Sequence, residues 1–335
     1  MQHKYDNKDK QIGVLITNLG TPDSPTKKDL KKYLNQFLMD KRVVDLSRLF
    51  WVPLLKLIIL NVRPKKSAKL YKSIWTDEGS PLLAMSNKIL KNLKQTFAEN
   101  KINITFDLGM RYGNPSIDKA LKSFKDKAIS KILILPLYPQ AGSPTTSSTL
   151  DAVNSYLSIQ NWTPNLRFVS GYHDHQDYVT SLCNSIKNSF SENGTPDKLI
   201  FSYHGMPERY LYEGDPYYCF CHKTTRLVAE KLNLESDFYE MAFQSRFGYE
   251  KWLQPYLDDK IPEMATNGVK HLQVISPGFS VDCLETLEEI NIQYREIFEE
   301  NGGEEFNYIP CLNDSNDQIE MIKNIIIENI KGWDS

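Results

Sequence analysis

Short apolar runs, each closed by turn residues and followed by a stretch of helical period, recur along this chain. They fall near 12–18, 103–109, 131–137 and 166–171, and again near 198–203, 238–243, 271–276 and 306–310. Continuous apolarity, rather than alternation, predicts strands buried on both faces. Between them the spacing predicts helices, for example over 116–126, 223–231 and 284–299. Strands that alternate with helices predict parallel sheets covered on both sides, here an α/β fold of two small doubly wound domains with four strands each.

The two sets of strands read as copies of one unit. KLIFSYHGMP at 198–207 echoes GVLITNLGTP at 13–22, and MAFQSRFG at 241–248 echoes FDLGMRYG at 106–113. KHLQVISP at 270–277 answers SKILILPL at 130–137, and FNYIPCLND at 306–314 answers LRFVSGYHD at 166–174. The four matches keep their order, so the chain is predicted to contain an internal duplication. The duplication separates what the fold needs from what chemistry needs. His204 falls opposite Leu19 and Glu285 opposite Thr145. A fold that accepts an apolar side chain and a hydroxyl at these places does not itself call for an imidazole and a carboxylate.

The copies differ in one respect. The first two strands lie farther apart in the first copy, and the excess falls at about 36–83. It holds the apolar run LFWVPLLKLIILNV at 49–62, interrupted by Pro53 and Lys56 and flanked by Arg48 and Arg63. Its roughly fourteen residues fall short of the ~20 that a spanning helix requires. Two readings fit: an extra pair of core helices, or an apolar flap whose outer side rests on a membrane. The polar stretch at 191–197 is expected to be the inter-domain hinge.

The bulk numbers exclude several classes. A chain of 335 residues is long enough for two cores. With 41% hydrophobic and 24% charged residues it is globular, and a net charge of −2 offers no basic face to nucleic acid. Five cysteines at this length do not make a disulfide scaffold. The N-terminus MQHKYDNKDK is polar and does not read as a secretory leader, so a cytoplasmic protein is expected. No P-loop, G-x-G-x-x-G or G-x-S-x-G is present.

The candidate chemistry gathers where parallel sheets place it, beyond the carboxyl ends of the strands. His204 follows a buried strand in SYHGMP, and imidazole suits proton transfer near neutral pH and ligation of a divalent metal. Glu285 and Glu289 stand i, i+4 in VDCLETLEEI and would share a helix face; a carboxylate pair suits a hard or borderline cation, although acids in a first helical turn also complement the helix dipole. Arg111 and Arg246 occupy equivalent places in the two copies, which fits a structural role or two forks for a carboxylated ligand. Tyr112, Tyr138, Phe247 and Trp252 fit either core or the walls of a pocket for a flat ring system. Cys219 and Cys221 form a C-x-C beside His222, without a second local pair to close a tetrahedral site. GYHDH at 171–175 aligns with CLNDS in the other copy and is expected to be a surface turn.

With these residues in view, the chain resembles the ferrochelatases, which insert ferrous iron into a porphyrin at the last step of haem synthesis. The resemblance is carried in order by NLGTP (18–22), RYGNP (111–115), LPLYPQ (135–140), SYHGMP (202–207), GDPY (214–217), FQSRFG (243–248) and DCLETLEEI (282–290). It implies two Rossmann-like domains of chelatase type, at 8–172 and 173–314, with the porphyrin between them and a C-terminal helix at 315–333 packed back on the first. It implies His204 and Glu285 as the catalytic pair on opposite faces of the macrocycle, and His204, Glu285 and Glu289 as metal-handling residues. Arg111, Tyr112, Tyr138, Ser245 and Trp252 match substrate-binding positions, and Leu19 matches an apolar ring contact. Members that act on coproporphyrin tend to carry Tyr at that last position, so Leu19 points to protoporphyrin IX.

Three positions depart from the family pattern. Cys283 stands where animal members have a second histidine, Gln293 replaces a frequent acid, and the chain ends IKGWDS without a cysteine-rich tail. No resident cofactor is implied: Fe2+ is substrate, and an internal iron–sulfur cluster using Cys219 and Cys221 stays open. The partners implied are protoporphyrin IX and Fe2+, with peripheral contact through 49–62 at the inner face of the cell membrane. The residues alone also fit another tetrapyrrole chelatase, acting on coproporphyrin or sirohydrochlorin, or a non-catalytic porphyrin or haem carrier.

Overall fold

Each predicted run forms a strand. β1 (Ile12–Thr21), β2 (Ile104–Gly113), β3 (Lys131–Pro136) and β4 (Asn165–Phe168) make one parallel sheet in the order β2-β1-β3-β4. β5 (Lys198–His204), β6 (Tyr239–Gln244), β7 (His271–Ile275) and β8 (Glu305–Ile309) make a second parallel sheet with the matching order β6-β5-β7-β8. The computed structural model describes residues 11–100 and 102–333. They divide into two units, one of 11–137, 143–171 and 319–333 and the other of 138–142 and 172–318. The polar N-terminal segment read above for a leader lies outside the described residues. The stretch at 191–197 is not the hinge: it lies inside the second unit, at the end of a helix and the loop leading to β5.

In the first unit, α1 (Lys27–Met39), α2 (Arg48–Leu54), a π-helical turn (Leu55–Ile59), α3 (Leu60–Ile74) and α4 (Pro81–Glu99) connect β1 to β2. Trp51, Leu55, Leu60 and Pro64 are all buried. Their spacing is irregular because the π turn absorbs one extra residue between Leu55 and Leu60 and returns the apolar stripe to the core. Trp51, Leu55 and Leu60 pack with Tyr33, Leu34, Leu38 and Tyr112. The other side of the same segment is bare: Leu49 is 86% exposed, Phe50 80%, Leu57 73% and Val62 69%. The insertion is therefore core on one face and an apolar surface on the other. No helix among the described residues is long and apolar enough to cross a membrane.

α5 (Ile117–Asp126), with Ser116 as its side-chain cap, and α6 (Ser148–Ser158) complete this layer. Leu15, Leu121, Phe124, Ile132, Ile134 and Val153 are fully buried together between sheet and helices; each such side chain contributes about 1.5–3 kcal/mol of burial. In the second unit α7 (Gln176–Asn193), α8 (Glu208–Tyr212), α9 (Tyr217–Leu232), α10 (Leu257–Thr266) and α11 (Arg295–Glu300) surround β5–β8. Ile200, Ala242, Leu257, Val274, Ile290 and Phe298 form the corresponding core. From Ile319 on, α12 (Asn316–Ile330) groups with the first unit. There Arg167 donates to the carbonyls of Asn329 at 2.5 Å and Lys331 at 2.9 Å and stacks 4.2 Å over the Trp333 ring.

The copies share register on one side and not on the other. Gly13 lies opposite Ile132, and its counterpart Lys198 opposite Leu272, the counterpart of Ile132. Val14, however, lies opposite Phe106, while its counterpart Leu199 lies opposite Tyr239, two residues ahead of the counterpart of Phe106. A slip of two keeps every side chain on its face, but it carries the matched arginines apart. Arg111 is inside β2, whereas Arg246 lies beyond the end of β6. The spatial equivalence expected for these two arginines does not hold.

Candidate active site

His204 is the last residue of β5. Behind it, the Gly205 N–H donates to the Gln244 carbonyl at 2.7 Å. A Cβ on Gly205 would stand 2.7 Å from that carbonyl oxygen and 2.9 Å from the Trp252 ring, so this close approach needs glycine. His204 Nδ1 lies 2.7 Å from the Gly205 carbonyl oxygen. A carbonyl only accepts, so Nδ1 carries a proton, and in the neutral ring Nε2 keeps its lone pair. The Tyr217 hydroxyl, at the head of α9, donates to the His204 carbonyl at 3.1 Å.

One strand over, β6 ends at Gln244, and Ser245 follows with φ 65°. This left-handed conformation is uncommon for a residue with a side chain and persists where neighbours hold it. It turns the Ser245 hydroxyl onto Glu289, donating to Oε2 at 2.5 Å. The Gln244 amide donates to the same oxygen at 3.2 Å and to the Glu285 carbonyl at 2.9 Å. Ser202 in turn donates to Gln244 Oε1 at 2.7 Å, which fixes the orientation of the amide.

The helix expected over 284–299 is a π-helix at Glu285–Tyr294 and an α-helix only at Arg295–Glu300. Its start is tied down by the buried Asp282 carboxylate, which accepts from Thr286 at 2.9 Å, Tyr308 at 2.6 Å and Asn313 at 2.7 Å. The first unit has a π turn too, at Ser143–Ser147, and it contains Thr145, the sequence counterpart of Glu285. The wide turn thus belongs to the duplicated fold, and the carboxylate on it belongs to the second copy alone.

Burial pushes the Glu289 carboxyl above its ordinary range; hydrogen bonds from Ser245 and Gln244 and the nearby His204 pull it back only in part, while Glu285 adds to the rise. A raised carboxyl favours the folded state below the ordinary glutamate value, and this contribution is lost as pH rises through the raised value. Glu289→Gln is therefore expected to melt at a higher temperature than the parent protein at pH 7.5, with the gap closing as pH is lowered. Equal melting temperatures at pH 7.5 contradict the burial argument.

His204, Glu285 and Glu289 are in this way electrostatically linked at the carboxyl ends of the second sheet. They are not a preformed metal cage: no three His, Cys, Asp or Glu among the described residues stand close enough to hold an ion. Trp252 is buried against Phe247, ring centroids 4.7 Å apart, and its indole N–H has no protein partner among the described residues. Tyr138 is also buried, and groups with the second unit rather than with the first copy that contains it by sequence.

In the first unit, Leu19 is half-buried near the end of β1. Arg111 and Tyr112 converge on Asp40, a residue that no pattern in the sequence marked. Asp40 Oδ2 accepts from the Arg111 guanidinium, from Tyr112 at 2.7 Å and from Ser148 at 2.6 Å, while Arg111 Nε also donates to Ser148 Oγ at 2.6 Å. Burial opposes ionisation of Asp40, but the bonds from Ser148 and Tyr112, the Arg42 backbone and the Arg111 charge win, and its carboxyl lies below the ordinary range. Burial pushes the Tyr112 phenol up, so it stays protonated and donates. With its hydroxyl engaged and its ring only 2% exposed, Tyr112 props Arg111 and presents no free group of its own. Arg246 is exposed, paired with Asp258 at 2.9 Å and stacked on Tyr256.

The cysteines divide. Cys219 is exposed and Cys221 buried on α9, because residues two apart on a helix do not face each other. The two thiols therefore lie on different sides of the helix. Burial, with Glu285 close by, pushes the Cys283 thiol well up, so it is not a thiolate at neutral pH. GYHDH is a turn, although His173 within it is stacked on Phe220 at 3.7 Å rather than exposed. The site residues that sequence reasoning missed are Gln244, Asp40 and Ser148; only Gln244 left a signal, as a polar residue closing an apolar strand.

Comparison with known proteins identifies the family. The ferrochelatase family model matches residues 11–330. The ferrochelatase of Hydrogenovibrio crunogenus is 52% identical over 96% of this chain and 86% of its own length. That of Marinobacter nauticus is 47% identical over 98% of this chain and 89% of its own. Among solved structures, SirB from Bacillus subtilis with Fe3+ has a TM-score of 0.57 over 96% of both chains at 8% identity, a likeness of fold alone. Matched along nearly its whole length by the family model and by these relatives, the chain belongs to the ferrochelatase family.

Proposed function

We propose that this ferrochelatase takes protoporphyrin IX as its porphyrin, with His204 as the acceptor of pyrrole protons and Glu285 and Glu289 on the iron side. The reaction replaces two pyrrole N–H bonds by bonds to Fe2+ and releases two protons. The observation that carries the assignment is the His204 tautomer: with Nδ1 donating to Gly205, Nε2 is left as a base at the end of β5. Glu289, held by Ser245 and Gln244 and reluctant to ionise, exchanges a proton for a cation as iron sheds water. Leu19, apolar and half-buried, favours the less carboxylated porphyrin. Arg111, clamped by Asp40 and Ser148, supplies a fixed guanidinium for a propionate, and Trp252 a flat wall.

The test is anaerobic mixing of the protein with protoporphyrin IX and ferrous iron, followed by absorption. Catalytic loss of the free-base bands with growth of haem bands is the expected result. A bound-porphyrin spectrum that never metallates with iron or zinc points to a carrier, and turnover with coproporphyrin alone changes the substrate.

The bare face of α2 and α3 supports peripheral membrane contact, since an exposed apolar patch of this kind, with Lys56 within it, suits the headgroup boundary of an anionic leaflet. Replacing Leu49, Phe50 and Leu57 by Asp is expected to abolish flotation with anionic liposomes while turnover with detergent-dispersed porphyrin persists. Unchanged flotation removes the membrane reading.

A further inference from the structure

The YYCFCHK segment contributes Tyr217 to the support of His204, but its two cysteines and its histidine have no part in the site described. On α9, Cys219 and His222 are spaced i, i+3 and so share the outer face of the helix, while Cys221 turns inward to the core. Beside that face runs β6, the edge strand of the second sheet, which presents Met241. Cys219, His222 and Met241 line one surface groove of about 590 Å³, walled by Tyr218 and Tyr239. The Tyr218 ring lies 4.4 Å from the His222 ring and stacks at 5.9 Å on Phe243, which anchors the wall to the sheet.

Three metal-ligating groups thus line one groove: a thiol, an imidazole and a thioether. Neither the Cys219 nor the His222 side chain makes a hydrogen bond among the described residues. The cations on the rim are already paired, Lys223 with Asp174 at 2.5 Å and Arg226 with Glu230 at 2.9 Å. Among the described residues no carboxylate lines the groove, so it lacks the hard oxygen ligands that Mg2+ or Ca2+ would call for. Thiolate and imidazole suit zinc as well as copper, and the thioether turns the set towards a soft cation.

We infer that Cys219, His222 and Met241 form a surface site for a soft monovalent cation of the Cu(I) class, separate from the iron-handling residues of the same unit. Binding forms bonds from Cys219 sulfur, an imidazole nitrogen of His222 and Met241 sulfur to the ion, with release of the thiol proton. No electron transfer is involved. The site spans α9 and β6, the two elements that hold His204 through Tyr217 and through strand pairing with Gln244.

The test is an anaerobic titration of the full chain with Cu(I) against the chromophoric chelator bicinchoninate. One Cu(I) per chain is expected to be retained, with Cys219→Ser weakening retention by about tenfold or more and with measurable losses in His222→Gln and Met241→Leu. Cys221→Ala is expected to retain Cu(I) as the parent does, and thermal melts check that each variant is folded. Parent-like retention in Cys219→Ser, or in both His222→Gln and Met241→Leu, overturns the site. So does a loss in folded Cys221→Ala equal to that in Cys219→Ser, or displacement of Cu(I) by an equal concentration of Zn2+.

Discussion

His204→Ala and Glu285→Gln are each expected to lower turnover by about two to four orders of magnitude, while binding of protoporphyrin IX persists. Both changes remove a polar tip and leave the scaffold behind it. The strand that ends at His204 pairs with β6 through its backbone, and the first π turn is held by Asp282 and by the Gln244 bond to the Glu285 carbonyl. Neither support depends on the side chain that is removed. The measurement is paired: porphyrin binding by fluorescence quenching, and metal insertion by absorption under anaerobic conditions. Near-parental insertion in either variant removes that residue from the chemistry. Loss of porphyrin binding in both assigns them to substrate capture instead.

Gly20→Ala is expected to be the most disruptive single change to stability, about 4 kcal/mol or more. Gly20 sits opposite Tyr112 in the sheet with φ +104°, and a Cβ there would lie 1.8 Å from the Tyr112 carbonyl oxygen. The atom it meets is backbone, so no rotamer change relieves the overlap; β1 and β2 must part. Tyr112 carries Arg111 with it, and the Asp40 cluster is disrupted at the same time. The control is Gly79→Ala, where φ is +98° but nothing lies within 4 Å of the new carbon. That change tests conformational strain without collision and is expected to cost about 1 kcal/mol. Urea unfolding of both separates the two effects, and equal losses contradict the close approach at Gly20.

The candidate site was partly legible because the duplication acts as an internal control. Leu19 and Thr145 show what the fold tolerates, so His204 and Glu285 stand out without any geometry. Glu289 was named from its i, i+4 spacing with Glu285 and Ser245 through family resemblance, but their mutual bond rests on a positive φ that no pattern of residue types signals. The π-helix escaped detection for a related reason. Apolar spacing over 285–294 fits an α-helix well enough, and the first turn is held by Asp282 and Thr286 together with Gln244 from a distant strand.

The positions of the strands, their division into two sets and the α/β class were all determined by the sequence alone. These follow from local rules, since a continuous apolar run flanked by turn residues has few ways to bury itself other than as an interior parallel strand. Only the tertiary structure decided which side chains meet. The partner of Arg111 is Asp40, 71 residues away; the matched arginines separate because one strand pair slips by two residues; and Cys219 lines a groove with Met241 while Cys221 is buried. Each of these depends on the register and packing of elements joined by long crossovers, and those are settled by the closing of the whole core rather than by any segment within it.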